Sequence, residues 1–560
     1  MINKIGIENK SINSTYTPLN NKSGIKNPNF RGGFFPILLQ GVQACEQNPM
    51  INVAVIDMFS AILPRTFVES LTNWFAGFEA FRRESSGLIV NCIIPSVITL
   101  GIAKLLNGSI MQNGADMASC WADSNMIEKM ASIYESSTAK DKIKDSLKNI
   151  LKNIEGFDGT KPIQSYSELL TEEELEAFSS RLKDLTTKDL SRKELKNSIK
   201  QITDDVVAKT KIYEHVKING GTNPVKANTV EDILKNSVQF FREFGKAEER
   251  SKVLESAGKG KKLGIQEFAS SSKKLVTSKS LLGLAVILPL AASMQFINRW
   301  ITEKTSGIKG APIYKDYGKE NATKIDERKK KEGLLKQKII SMGSMLTVGL
   351  LSMMKLPSMN MLEFKGIFPT MDQARIISTT TFMSRMAAAD DKNELAESTV
   401  RDIATFLSLY FLGDYAAKAT ATIIQKKTGT VLLNDTKPIE KDAGFLKKAW
   451  HWFKDVNLKS SKEVVSKTEE DLKAKKLKPN NAQKETIKKE LEKATMYRSA
   501  CQVANLGVSL ALLGLIIPIF IRKHTAKKHA EDIRLAQSTV SSNINSDNAD
   551  KNAFEYPLAS

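Results

Sequence analysis

The stretch from Ser499 to Ile521 carries no charge, and Arg522-Lys523-His524-Thr525-Ala526-Lys527-Lys528-His529 follows it at once. A helix of about 20 apolar residues matches the roughly 30 Å hydrocarbon core of a bilayer, and basic flanks reach back to headgroups. A chain that repeats this pattern has few options: its apolar helices face lipid, or they form the interior of a large helical body. Comparable runs occur at Ser85–Ala103, Ser280–Asn298, Ile339–Met354 and Ile403–Gln425. The sequence therefore predicts an all-α, multi-span helical membrane protein, with about five transmembrane or re-entrant helices and a helical extramembrane domain. Prolines fall inside three of the runs, at Ile94-Pro95, Leu288-Pro289 and Ile517-Pro518.

Composition agrees once it is read by region. The chain has 560 residues, more than one compact core usually holds. Its mean hydropathy of -0.24 averages apolar blocks with Lys- and Asn-rich ones. Net charge is +20, from 82 Lys+Arg against 62 Asp+Glu. The excess lies largely beside the apolar runs, which favours anionic headgroups of a lipid bilayer over nucleic acid as a partner. Arg328-Lys329-Lys330-Lys331 has no interleaved aromatic residues for base stacking and reads as a positive anchor.

Chemistry-bearing motifs are scarce. The cysteines, Cys45, Cys92, Cys120 and Cys501, show no CxxC spacing, so no disulfide framework or zinc knuckle is expected. The histidines, His215, His451, His524 and His529, make no HExxH, and Gly-x-Ser-x-Gly is missing. Gly258-Lys259-Gly260-Lys261-Lys262-Leu263-Gly264 is rich in glycine and lysine but lacks the Gly-Lys-Ser/Thr of a phosphate loop. No catalytic, cofactor-binding or metal-binding residue is therefore assigned, and a non-enzymatic role is expected. Residues 1–33 are polar and lack an apolar core, so insertion without a cleaved signal peptide is expected.

The expected organisation is a disordered segment 1–33; an apolar region 34–106 containing an interfacial helix 64–84 and a span 85–103; and a polar helical domain 107–279. A span 280–298, a basic loop 299–338, a marginal span 339–354 and a polar loop 355–402 follow. A charged span or re-entrant helix 403–425, a Lys-rich helical linker 426–498, a span 499–521 and a basic, then disordered tail 522–560 complete the chain. In the interfacial helix, Phe67, Leu71, Trp74, Phe75, Phe78 and Phe81 recur at helical spacing opposite Glu69, Ser70, Asn73, Arg82 and Arg83. The same pattern equally suits a helix packed on the protein's own core. Trp300 flanks a span, and Trp450 and Trp452 stand among lysines in a second amphipathic segment. Interfacial anchoring is thus expected at Trp74, Phe75, Phe78, Trp300, Trp450 and Trp452.

Within the polar domain, Thr171 with Glu174 and Ser191 with Glu194 predict capping boxes, and Thr229 opens a further helix. The distribution of Lys and Arg places the N-terminus, 299–338 and 426–498 on one side and 104–279, 355–402 and the tail on the other, although the cluster after Ile521 argues against it. Asp414 and Lys418 lie one helical turn apart in the fourth run. They form either an intramembrane charge pair or the wet part of a helix that dips only partly into the bilayer. Asp57 and Arg65 make a second possible pair, with Arg65 expected at the interface. Two functions follow: a membrane scaffold whose helical domain binds a protein partner, or a transporter or channel component that uses Asp414 and Lys418. The sequence does not specify the partner or the oligomeric state.

Overall fold

Proline and glycine decide how the apolar helices of this chain bend and meet. In the computed structural model, a π-helical turn at Asp57–Ile62 precedes Pro64, one at Ile89–Ile93 precedes Pro95, and one at Leu510–Ile516 precedes Pro518. A proline has no N–H for the carbonyl four residues back, and a widened turn accommodates the broken ladder within a continuing helix. The helices also meet at this feature. A Cβ on Gly514 would stand 2.9 Å from the Ser60 carbonyl oxygen and 3.1 Å from the Pro64 ring. Glycine is required there by close approach of the two backbones.

The structure describes residues 49–71, 73–111, 114–156, 164–219, 225–259, 261–307, 327–353, 361–366, 368–435, 439–440, 442–474 and 481–521, with isolated positions as far as 534. All belong to one compact unit spanning residues 42–560. The expected disordered ends, 1–33 and beyond 537, and the side chains of Arg328 to Lys331 lie outside the described residues. The described residues are 80% helical. Among them, five helical segments are long and apolar enough to cross a membrane: Met50–Ser70, Trp74–Ile110, Ile265–Ser306, Gly333–Ser352 and Glu485–Ile521. At most 33% of the apolar window in each is buried, so their outer faces remain bare. Ile403–Gln425 is not among the five, while Met50–Ser70, which straddles the apolar region before residue 64 and the start of the expected interfacial helix 64–84, is.

Side-chain contacts fix the order of the passes. Arg65 meets Glu84 and Thr99 approaches Gly283, so 63–70 and 265–306 each run antiparallel to 74–110. Lys338 meets the Ala387 carbonyl while Thr379 crowds Gly349, which makes 333–352 and 371–387 antiparallel. Arg385 meets Asp402 and Ser378 meets Tyr410, which returns 392–412 alongside 371–387. Asp414 meets Asn505, and Gln502 meets Asn52, so the last helix runs beside the first. One end of the bundle therefore carries residues 65–84, 299–306, 333–338 and 385–402. The opposite end carries the polar domain, 361–371 and the region after 425.

The polar domain has its own core, in which Leu147, Leu182, Val206, Leu234, Phe240, Phe241, Phe244 and Phe268 are buried. Both capping boxes form, at Thr171 with Glu174 and at Ser191 with Glu194. Thr229 caps the helix Val230–Ser256. The domain also holds a four-stranded antiparallel sheet in the order β2-β1-β3-β4, formed by Ile154–Gly156 (β1), Gln164–Ser165 (β2), Glu214–Ile218 (β3) and Val225–Thr229 (β4). Its longest strand registers Glu214 with Thr229 and Ile218 with Val225. An all-helical domain was the expectation; these strands are too short to show alternation in sequence.

The expected placement of 426–498 opposite the polar domain does not hold. Lys462 Nζ donates to Asp204 at 2.9 Å, and the Glu214 amide donates to Glu463 at 3.2 Å. The Lys-rich region and the domain therefore share one end of the bundle. Residues 385–402 likewise join 65–84 at the other end, whereas the charge count had separated them. The cause is an additional pass, Met371–Ala387, too polar for a hydropathy window to register, which reverses the side of every segment after it.

Candidate functional site

Charged side chains are expensive in an apolar bundle unless they neutralise and hydrogen-bond one another. Here they do so at one level. Glu84 stands at the start of the apolar run 85–103, Arg65 near the end of the first pass, Arg385 in the last turn of Met371–Ala387, and Arg401 and Asp402 just before the apolar run that begins at Ile403. Glu84 accepts from Arg65 at 3.2 Å and Arg83 at 3.2 Å through Oε1, and from Arg385 at 3.1 Å through Oε2. Arg385 also reaches Asp402 at 3.3 Å. Arg401 bonds Asp402 at 3.1 Å and Glu397 at 3.2 Å.

These side chains are almost completely enclosed: the exposures are 4% for Arg385, 4% for Glu84 and 0% for Asp402. Arg65 is 1% exposed and also donates to Thr405 at 2.5 Å. The expectation that Arg65 sits at the interface is thus corrected. Its position two turns after Asp57, beyond Pro64, turns it toward Glu84 rather than outward. Four guanidiniums (65, 83, 385, 401) thus share three carboxylates (84, 397, 402).

A second cluster adjoins the first. Arg299 pairs with Glu79 at 3.3 Å and with Glu394, tying the end of the span 280–298 to two other helices. Arg82 donates to Thr302 at 2.5 Å. Beside this cluster opens a cleft of about 280 Å³ lined by Phe296, Arg299, Trp300, Glu303, Lys338, Ala387, Ala388 and Asp390.

Asp414 and Lys418 sit on one helix but take different partners. Asp414 accepts from Asn505 at 3.1 Å. Lys418 donates to the Phe453 carbonyl at 3.1 Å and lies 4.9 Å from the Trp452 ring centre. Of the expected anchors, Trp74, Phe75 and Phe78 are exposed at 74%, 37% and 45%, with Phe67, Leu71 and Phe81 beside them. Trp300 is exposed at 58% and Trp450 at 59%. Trp452 is half-buried and donates to Thr422 at 3.1 Å.

At the domain end another buried charge closes the junction. Lys279 is 0% exposed, donates to the Cys120 carbonyl at 2.7 Å and lies 4.3 Å from the Trp121 ring centre. Glu363, from the segment between two passes, accepts from the Ser124 amide at 2.8 Å and from Thr277 at 2.8 Å. The domain is thus bonded to the bundle through polar groups as well as through the continuous helices 94–110 and 265–306. Among the described residues no group of three or more His, Cys, Asp or Glu is placed to hold a metal ion.

Sequence reasoning missed Glu84, Arg385, Arg401 and Asp402. The available signal was a charged residue directly abutting an apolar run on several helices, which reads as ordinary interfacial flanking until the passes are brought together. Comparison of the chain with protein-family models, with curated proteins and with solved structures finds no match.

Proposed function

We propose that this chain is a multi-span membrane protein that acts as a non-enzymatic scaffold, holding a rigid polar body at one membrane face for a protein partner. The observation that carries the reading is the division of surface. The bundle keeps its charges inside, in the Glu84–Arg385 network, and leaves its outer faces apolar. The polar domain and the Lys-rich helix 461–474, distant in sequence, are bonded into one body at the opposite end. An apolar belt of this extent favours lipid contact, because a patch of that size in water drives association. The ionic network suits a positional role: its members bond mainly to one another, which fixes helix registry.

The test is site-specific photocrosslinking in native membranes from exposed positions on both halves of the body, Lys188 and Glu470. A shared crosslinked species from both positions, lost when Lys462→Glu separates the halves, supports the reading. Crosslinks to lipid alone from both positions would refute partner binding through this body.

A further inference from the structure

The cleft beside Arg299 combines four charged groups in an unusual balance. Lys338 supplies a cation and Glu303 and Asp390 two carboxylates, while Arg299 is already paired with Glu79 and Glu394. Among the described residues no ion pair engages the side chains of Glu303 or Asp390. Lys338 uses one N–H on the Ala387 carbonyl at 2.8 Å, leaving two donors. Phe296 and Trp300, exposed at 51% and 58%, flank the opening on the lipid-facing side of the same helix. The cleft therefore offers donors for an anion, free carboxylates for a cation, and aromatic walls continuous with the apolar belt.

We propose that this cleft binds the headgroup of a zwitterionic phospholipid of the phosphoethanolamine class, with its acyl chains along Phe296 and Trp300. The phosphate takes the remaining Lys338 donors. The primary ammonium donates to Glu303 and Asp390. A volume of about 280 Å³ is at the low end of ligand pockets and suits a headgroup rather than a large solute. A quaternary ammonium has no N–H to donate, and a glycerol headgroup has no cation, so each satisfies only part of the cleft. The site rests on the membrane reading above, but its test uses detergent-solubilised protein, so the two can fail separately.

Native mass spectrometry of the full chain in detergent, titrated with phosphatidylethanolamine, phosphatidylcholine or phosphatidylglycerol, measures the preference. Phosphatidylethanolamine should bind about tenfold more tightly than either alternative, the effect of one to two charge-assisted hydrogen bonds. Glu303→Gln should remove most of that preference while leaving the thermal midpoint of the lipid-free protein unchanged; Lys338→Gln should remove it too, with a lower midpoint from loss of the Ala387 hydrogen bond. Equal binding of the three lipids, or a full preference retained in both variants, would overturn the site. Glycerophosphoethanolamine, the soluble headgroup alone, should bind far more weakly. Affinity equal to the lipid's would overturn the role of the aromatic walls and make the ligand a soluble solute.

Discussion

Replacing Glu84 by Gln probes the buried network most sharply, because one carboxylate serves three guanidiniums. The side chain keeps its shape and loses its charge, leaving Arg65, Arg83 and Arg385 with one fewer counterion in surroundings only 4% exposed. Breaking a buried pair by removing one partner costs about 3–5 kcal/mol, because the surviving charge stays desolvated. An uncompensated charge in an apolar helix costs about 2.5–3.5 kcal/mol on insertion scales, so two independent references agree. The prediction for Glu84→Gln is therefore a loss of about 3–4 kcal/mol. Arg385→Gln in the same chain removes the excess cation and should recover part of that loss. The assay is equilibrium unfolding in mixed micelles, read by circular dichroism. The surface pair Lys188–Asp184, more than half exposed on both sides at 3.4 Å, is the control; its removal should cost under about 0.5 kcal/mol. A Glu84→Gln variant within about 1 kcal/mol of the parent would refute the claim that the network is desolvated and mutually dependent.

Other consequences are as direct. Gly514→Val places a side chain against the Ser60 carbonyl and the Pro64 ring and should cost about 1–3 kcal/mol by overpacking, read in the same unfolding assay. Thr171→Ala removes one half of a capping box and should cost about 1 kcal/mol, localised by hydrogen exchange to the helix Glu172–Thr187. Phe240→Ala in the domain core, at 0% exposure, should cost about 3–5 kcal/mol and loosen the domain while the bundle stays protected. Burial raises the Asp232 carboxyl above its ordinary value of 3.8, against the Thr229 hydrogen bond and the charge of Lys235. The folded domain then holds this proton more firmly than the unfolded chain. Its contribution is fully present below pH 3.8 and is lost as pH rises through the raised value, so Asp232→Asn should flatten domain stability over that interval.

What the sequence made legible follows from the range of each interaction. Capping boxes at Thr171 and Ser191 are three-residue patterns, and both appear as read. Apolar runs are local too, which is why four of the five candidate crossings were found. Pro95 and Pro518 marked interruptions inside apolar runs, whose form, a π-helical turn, depends on how the helix absorbs a missing hydrogen bond. The pass at 371–387 escaped notice because Gln373, Ser378, Thr379 and Thr381 lower its hydropathy; Ser378 and Thr381 are partnered by Tyr410 and Asn91 of other helices rather than by water. The ionic network is the extreme case. Arg65 and Thr405 lie 340 positions apart, and nothing near either announces the other. Asp414 and Lys418 lie one turn apart as read, but their hydrogen-bond partners, Asn505 and the Phe453 carbonyl, come from elements far along the chain.

Single-cysteine labelling in sealed, oriented vesicles tests the arrangement most directly. Cys92, Cys120 and Cys501 are buried, and Cys45→Ser leaves a quiet background. Lys188→Cys in the polar domain and Lys447→Cys in the Lys-rich region should react with a membrane-impermeant maleimide from one and the same side, and Lys304→Cys only from the other. Reaction of Lys188→Cys and Lys447→Cys from opposite sides, or of all three before the vesicles are opened, would contradict the proposed membrane disposition of the bundle.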